Sequence, residues 1–470
     1  MVFSSITFLF YFLPIVLLAY YIVPKKFKNV TLLISSFTFY FWGEPKNIYI
    51  MISMIILSYI GGLIIGRLKE KKKITFAKIV LAVTIVLDLA ALFYFKYIDF
   101  FIRNINLYLN KEIDLLGVIL PIGISFFTFQ ILSYVIDVYR EEVKVQRNIF
   151  NLALYVSLFP QLIAGPIVRY KDIEKQIVER THTVEKFSNG ITRFVIGLSK
   201  KVLIANVLGE VINIFGTSND GTITFYWMYA IANMLQIYFD FSGYSDMAIG
   251  LGKMFGFEFL ENFNYPYIAT SITEFWRRWH MSLSFWFKDY VYIPLGGNRK
   301  GIIRQIINIL IVWFLTGFWH GANWNFIIWG MYFGLILLIE KVFLLKVLDK
   351  TPKIINRIYV LFIVLISFII FSNENLNICA EYIKGLFVSS NGLITNVSKY
   401  YLNSYLVMFI IGIIGSTPLM KNIVLKIKNK NERLNSIVNV LEIVTVMVLF
   451  VVSVSYIIDG SFNPFLYFRF

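Results

Sequence analysis

Long apolar runs recur along the whole chain and are separated by short clusters of basic residues. A helix needs about 20 apolar residues to cross the roughly 30 Å of hydrocarbon in a bilayer. Runs of that order lie at residues 3–23, 48–66, 76–95, 115–136, 190–214, 223–239, 305–339, 358–371, 401–416 and 437–458. The run at 30–42 is shorter and spans only thinly. The run at 148–168 carries Pro160 and Gly165-Pro166, the pattern of a segment that dips in and turns back. The first run has no charged stretch before it and no small-residue cleavage site after it, so it is expected to be a retained span. No hydrophilic stretch is long enough for a soluble domain, and no repeat of fixed period is visible. The pattern predicts an all-α fold: one membrane domain over 1–470, a polytopic transmembrane helical bundle of about ten or eleven spans with re-entrant segments.

Composition narrows the class. The 470 residues are 58% hydrophobic and 15% charged, with a mean hydropathy of +0.70. Soluble domains carry about 25% charged residues, so a globular soluble enzyme and a disordered chain are excluded. An outer-membrane barrel would alternate apolar and polar residues in short segments, which these runs do not. The single cysteine, Cys379, rules out an internal disulfide and a cysteine-rich metal cluster.

Charge sets an orientation. The chain has 44 Lys+Arg against 28 Asp+Glu. Such an excess suits nucleic acid in a soluble protein, but here it suits loops facing anionic lipid, so no nucleic-acid partner is expected. Basic residues gather at 25–28, 67–73, 140–147, 169–201, 277–304, 341–357 and 421–433. With those loops on one side, that side holds the great majority of the basic residues. The bias predicts a multi-pass protein of the cytoplasmic (cell) membrane with an exterior N-terminus.

Candidate chemistry begins in the run 305–339, which is 35 residues without one Asp, Glu, Lys or Arg. As one helix it would be about 50 Å long, so it must tilt steeply or break, and Gly317, Gly321 and Asn323 offer a break near its centre. His320 sits there. A histidine within such a run is costly unless it faces a polar cavity or a partner; the alternative is a core histidine bonded to a backbone carbonyl. Burial favours neutral imidazole, ready to accept a proton. Such a base can activate a hydroxyl against a thioester without a metal. The three histidines, His182, His280 and His320, have contexts too separate for a metal site. His182, in a basic loop, reads as solvated.

Two further stretches carry polar groups. In Ser271-Ile-Thr-Glu-Phe-Trp-Arg-Arg-Trp-His280, Ser271 or Thr273 suits a helix cap, and Trp276, Trp279 and His280 fall at spacings that share a helical face. Arg277 and Arg278 suit either phosphate headgroups at the membrane surface or a phosphate-bearing donor such as a coenzyme A. In Asp240-Phe-Ser-Gly-Tyr-Ser-Asp246, two carboxylates end an otherwise uncharged span. Asp240 is placed to orient a histidine, to bind substrate, or to pair with a neighbouring basic group. Trp276 and Asn323 join Asp240 and Arg277 as candidate donor contacts. Pro121-Ile-Gly-Ile-Ser-Phe-Phe-Thr-Phe-Gln130 reads as a kinked span whose small and aromatic residues pack.

Taken together, several of these segments resemble the membrane-bound O-acyltransferase (MBOAT) family almost end to end, within it the branch of alginate O-acetylation membrane subunits. The resemblance rests on Pro121–Gln130, Ala164-Gly-Pro-Ile-Val-Arg169, Asp240–Asp246, Glu274-Phe-Trp-Arg-Arg-Trp-His280, Tyr292-Ile-Pro-Leu-Gly-Gly-Asn298 with its flanks, Phe318-Trp-His-Gly-Ala322 and the aromatic tail 462–470. It implies a helical bundle thinned around a central tunnel. It implies that His320 is the histidine required for acyl transfer and His280 a supporting one. It also implies an acetyl-CoA donor with no bound cofactor, an exported polysaccharide acceptor, and an extracellular partner of the SGNH-hydrolase-like kind. The related teichoic acid D-alanylation branch implies an alternative, D-alanyl transfer from a phosphopantetheine carrier protein. A transporter or flippase without bond chemistry is the rival of a different class.

Overall fold

The computed structural model describes residues 1–163, 165–218, 220–460 and Phe465. Ala164 and most of the aromatic tail 462–470 therefore lie outside the described residues. Among the described residues the regular structure is helical, with no strand. In chain order the α-helices are α1 (Leu13–Ile22), α2 (Lys28–Gly43), α3 (Ile48–Glu70), α4 (Ile74–Leu109), α5 (Ile124–Arg140), α6 (Ile149–Ser157), α7 (Tyr170–Val178), α8 (Val184–Ser199), α9 (Asn206–Thr217) and α10 (Ile223–Met254). There follow α11 (Ile272–Trp276), α12 (Met281–Phe287), α13 (Ile302–His320), α14 (Trp324–Ile339), α15 (Leu345–Leu348), α16 (Lys353–Ser372), α17 (Leu376–Gly385), α18 (Asn396–Gly415), α19 (Leu419–Lys428) and α20 (Glu432–Asp459). Wider π-turns at Lys200–Ala205 and Glu340–Leu344 join α8 to α9 and α14 to α15 without a break.

Among the described residues six helices, α3, α4, α13, α16, α18 and α20, are both long and apolar enough to cross a bilayer. Other runs become shorter or more polar helices. The run 115–136 is helical only from Ile124, after a turn in which Gly123 has φ +78. The run 148–168 is helical to Ser157 and then leaves the helix at Leu158, ahead of Pro160, where proline cannot continue the ladder.

The chain packs as two compact units, each drawn from three separate stretches. The first comprises Met1–Phe194, Met247–Glu261 and Phe285–Pro294. Its α5 is buried along nearly its whole length, which agrees with a packing role for Pro121–Gln130. Arg169 lies on Asp172 and Asp289, at 2.8 and 2.5 Å. Tyr290 donates to Asp137 at 2.8 Å.

The second unit comprises Val195–Asp246, Asn262–Ser284 and Leu295–Phe470. Its core is aromatic, with Trp276, Trp279, Trp329, Phe333 and Phe368 all buried. Both candidate histidines, Asp240, Trp276 and Asn323 belong to it.

Candidate active site

The uncharged run 305–339 breaks where its sequence allows. α13 ends at His320, Gly321 is extended, and the Asn323 side chain caps α14 by accepting from Trp324 N. A side-chain oxygen at this position satisfies a backbone donor the helix leaves open. The two helices then fold back on each other. Gly317 faces Phe326 and Gly330, while Gly330 and Gly334 face Trp313. A Cβ on Gly330 would collide with the Trp313 carbonyl, so the crossing requires glycine there. The result is an antiparallel hairpin with His320 at its tip.

His320 is 5% exposed. Its ring is walled by Trp319 and Trp329, each 5.0 Å away between centroids, and by Phe371 at 5.4 Å, all edge-to-face. Phe371 is held from α14, where Asn325 Nδ2 donates to the carbonyls of Ile370 and Phe371 at 3.2 and 3.0 Å. These carbonyls at the end of α16 have no partner within their own helix.

His280 reaches the same place by a different route from the one its spacing predicts. α11 stops at Trp276, and His280 itself has φ +42. This left-handed conformation is unusual for a residue with a Cβ, and it turns the chain before α12. Trp276, Trp279 and His280 therefore do not share one helical face. Trp279 stacks on Phe275 at 5.5 Å. The His280 ring instead meets Phe241 at 4.6 Å and Trp319 at 6.2 Å. His280 Nδ1 lies 3.1 Å from Asn262 Oδ1, which also accepts from Ser282 N and Oγ. Burial pushes the His280 ring pKa down to about 3, so it stays neutral at physiological pH. Trp319 thus stands between the two imidazoles.

Asp240 lies within α10, which runs on to Met254. It is 2% exposed and pairs with Lys201 Nζ at 2.5 Å. Gly243 permits this: a Cβ there would strike Gly197 O and crowd Lys201 N, so α10 approaches the π-turn closely enough for Lys201 to reach back. Asp246 pairs similarly with Lys200 at 2.6 Å.

Beside these groups is a cavity of about 480 Å³. Its lining includes Asn206, Asn233, Gln236, Asp240, Phe241 and Phe371. His280 packs against Phe241 and His320 against Phe371, so both imidazoles stand directly behind rings that line the cavity. The arrangement places two imidazoles and a polar chamber within a few side chains of one another. Among the described residues no group of His, Cys, Asp and Glu could hold a metal ion.

The other candidates are less central. Arg277 is exposed, and only its backbone is tied down, by donating to Glu274 O, whereas the Arg278 side chain pairs with Glu274 at 2.8 Å. Trp276 is buried, with Trp313 at 4.6 Å and Trp329 at 5.7 Å, so it is a wall of the core and not a surface anchor. Asn323 is committed to its cap.

Sequence reasoning missed three contributors. Lys201 is the buried partner of Asp240. Glu340, fully buried, accepts from Ile272 N, Thr273 N and Thr273 Oγ1 at 2.6 to 2.8 Å and so anchors the start of α11. Trp329 forms part of the wall around His320. Only Glu340 carried a signal, as the first charge after the uncharged run.

Residues 138–380, which contain Asp240 and both site histidines, match the model of MBOAT, the membrane-bound O-acyltransferase family. A probable alginate O-acetylase of Azotobacter vinelandii is 39% identical over the whole of both chains. A peptidoglycan O-acetyltransferase of Helicobacter pylori is 34% identical over 84% of this chain and 81% of that one. A teichoic acid D-alanyltransferase of Bacillus subtilis is 32% identical over 46% of this chain and 58% of its own length. With a match that runs from end to end and a histidine-tipped hairpin inside an apolar helical fold, the chain is a multi-pass membrane acyltransferase of the membrane-bound O-acyltransferase family.

Proposed function

We propose that this protein is a membrane O-acetyltransferase component that moves acetyl from cytosolic acetyl-CoA to an exported or cell-envelope polysaccharide, directly or through an extracellular partner. The observation that carries the reading is the placement of His320. The hairpin α13–α14 turns at this imidazole, in an uncharged helix pair, beside a second imidazole and behind the wall of a polar cavity. His320 acts as the base, and His280, fixed by Asn262, lines and orients the site. Arg277, exposed and uncommitted, contacts the donor's phosphates. The bundle crosses the cytoplasmic membrane ten or eleven times with its N-terminus outside, which returns both basic flanks of the hairpin to the cytosol.

Acetyl is favoured over D-alanyl because the O-acetylating relatives align over most or all of this chain, while the D-alanyltransferases align over half or less. The test is His320→Ala. Acetyl on the exported glycan should vanish at unchanged protein level; undiminished acetylation would reject the reading. Thioester consumption by the purified protein separates an acyltransferase from a transporter. Use of an acyl carrier protein in place of free acetyl-CoA would transfer the case to D-alanylation.

A further inference from the structure

We propose that the indole Nε1–H of Trp329 is the hydrogen-bond donor that holds the acyl carbonyl oxygen during transfer, with the Nε1–H of Trp276 as a second donor. The inference rests on the reading of His320 as the base. Trp329 is 2% exposed and Trp276 8%, and neither indole nitrogen has an acceptor among the described residues. Two other indoles are satisfied: Trp227 Nε1 donates to Leu386 O and Trp286 Nε1 to Phe129 O, both at 2.9 Å.

A buried donor without an acceptor costs on the order of 1–3 kcal/mol. Two such donors therefore call for a ligand, and their position says which. The Trp329 ring lies 5.0 Å from the His320 ring. The Trp276 ring lies 5.7 Å from that of Trp329, and both pack on Phe333. Donors held ready beside a base match the need of a carbonyl oxygen that gains negative charge.

The step balances as follows. A ring nitrogen of His320 takes the proton of the acceptor hydroxyl, whose oxygen attacks the thioester carbonyl carbon. The carbonyl π pair moves onto oxygen, and the Trp329 N–H stabilises the resulting oxyanion. The pair then reforms the carbonyl, the carbon–sulfur bond breaks, and the imidazolium returns its proton to the thiolate.

Purified full-length protein in detergent, supplied with acetyl-CoA and a soluble oligosaccharide as hydroxyl acceptor, tests this through release of coenzyme A. Trp329→Phe keeps an aromatic ring and removes only the donor. We expect kcat to fall about 100- to 1000-fold, with KM within about threefold. Trp276→Phe should fall less. Trp329→His, which restores an N–H, should recover part of the loss. Trp279→Phe, in the same aromatic core but stacked on Phe275, controls for packing and should keep its rate. Melting temperatures confirm that each variant is folded. An unchanged kcat in Trp329→Phe would overturn the donor role, as would a loss confined to KM or a loss equalled by Trp279→Phe. His320→Ala separates the two levels: full activity there defeats the underlying reading, whereas an inactive His320→Ala beside an active Trp329→Phe defeats this inference alone. If the wild type turns over only a carrier-bound thioester, the same variants are compared on that donor.

Discussion

Lys201 Nζ lies 2.5 Å from the Asp240 carboxylate, and both side chains are 2% exposed. Removing both partners of such a buried pair for apolar residues is often tolerated, whereas removing one strands a charge at a cost of about 3–5 kcal/mol. Lys201→Met should therefore lower the melting temperature of the detergent-solubilised protein sharply. The double variant Lys201→Met/Asp240→Leu should regain most of the loss. A double variant no more stable than the single would show that the pair is not coupled in this way.

The hairpin makes a second prediction. Gly330→Ala drives a methyl group into the Trp313 carbonyl, which is backbone and cannot yield without moving α13. Overpacking of this kind costs about 1–3 kcal/mol. Because His320 sits one turn beyond the crossing, acyl transfer should fall further than stability does. Gly334→Ala meets Trp313 Cβ at 3.1 Å and other side-chain atoms beyond, so it should be milder by both measures. Equal effects from the two alanines would argue that the crossing does not position the histidine.

Much of this was legible in the sequence, and the remainder fails for definable reasons. Six of the spans and the break near Gly321 follow from runs too apolar for water and, at the break, too long for a bilayer. His320 is conspicuous because an ionisable group is costly there. The shared face of Trp276, Trp279 and His280 was not realised because helical spacing presumes continuous helix, and the left-handed turn at His280 interrupts it. The lysine partners of Asp240 and Asp246, both in the π-turn, left no mark on their local sequence. That pairing joins residues 39 apart through a close helix approach, which local pattern does not encode. The unpartnered indole of Trp329 is likewise invisible in sequence, since every other tryptophan in such a run looks the same.

His182 gives a pH prediction. It was expected to be a solvated loop residue, yet it lies against Tyr20, with Tyr20 Oη 2.7 Å from its Nε2. Burial, with Lys28 and Arg180 nearby, pushes its pKa down to about 4. In the unfolded chain the ring titrates near 6.5. Between those values the unfolded chain binds more protons than the folded one, so stability falls as pH drops from about 6.5 towards 4. Melting temperature should therefore decline across that window, and His182→Asn should flatten the decline. A slope unaltered by the substitution would assign the acid sensitivity to other groups.

The backbone and the ring of His280 make separate demands that substitution can divide. Asparagine tolerates φ +42 better than alanine does, so His280→Asn should fold more stably than His280→Ala by about 1 kcal/mol. Neither variant keeps the imidazole that faces Phe241 and Trp319. Acyl transfer should thus be reduced about tenfold or more in both, although only the alanine variant carries the full backbone strain. Transfer that tracked stability, high in Asn and low in Ala, would reduce His280 to a turn-former. Equal loss in both would show that the ring itself serves the reaction.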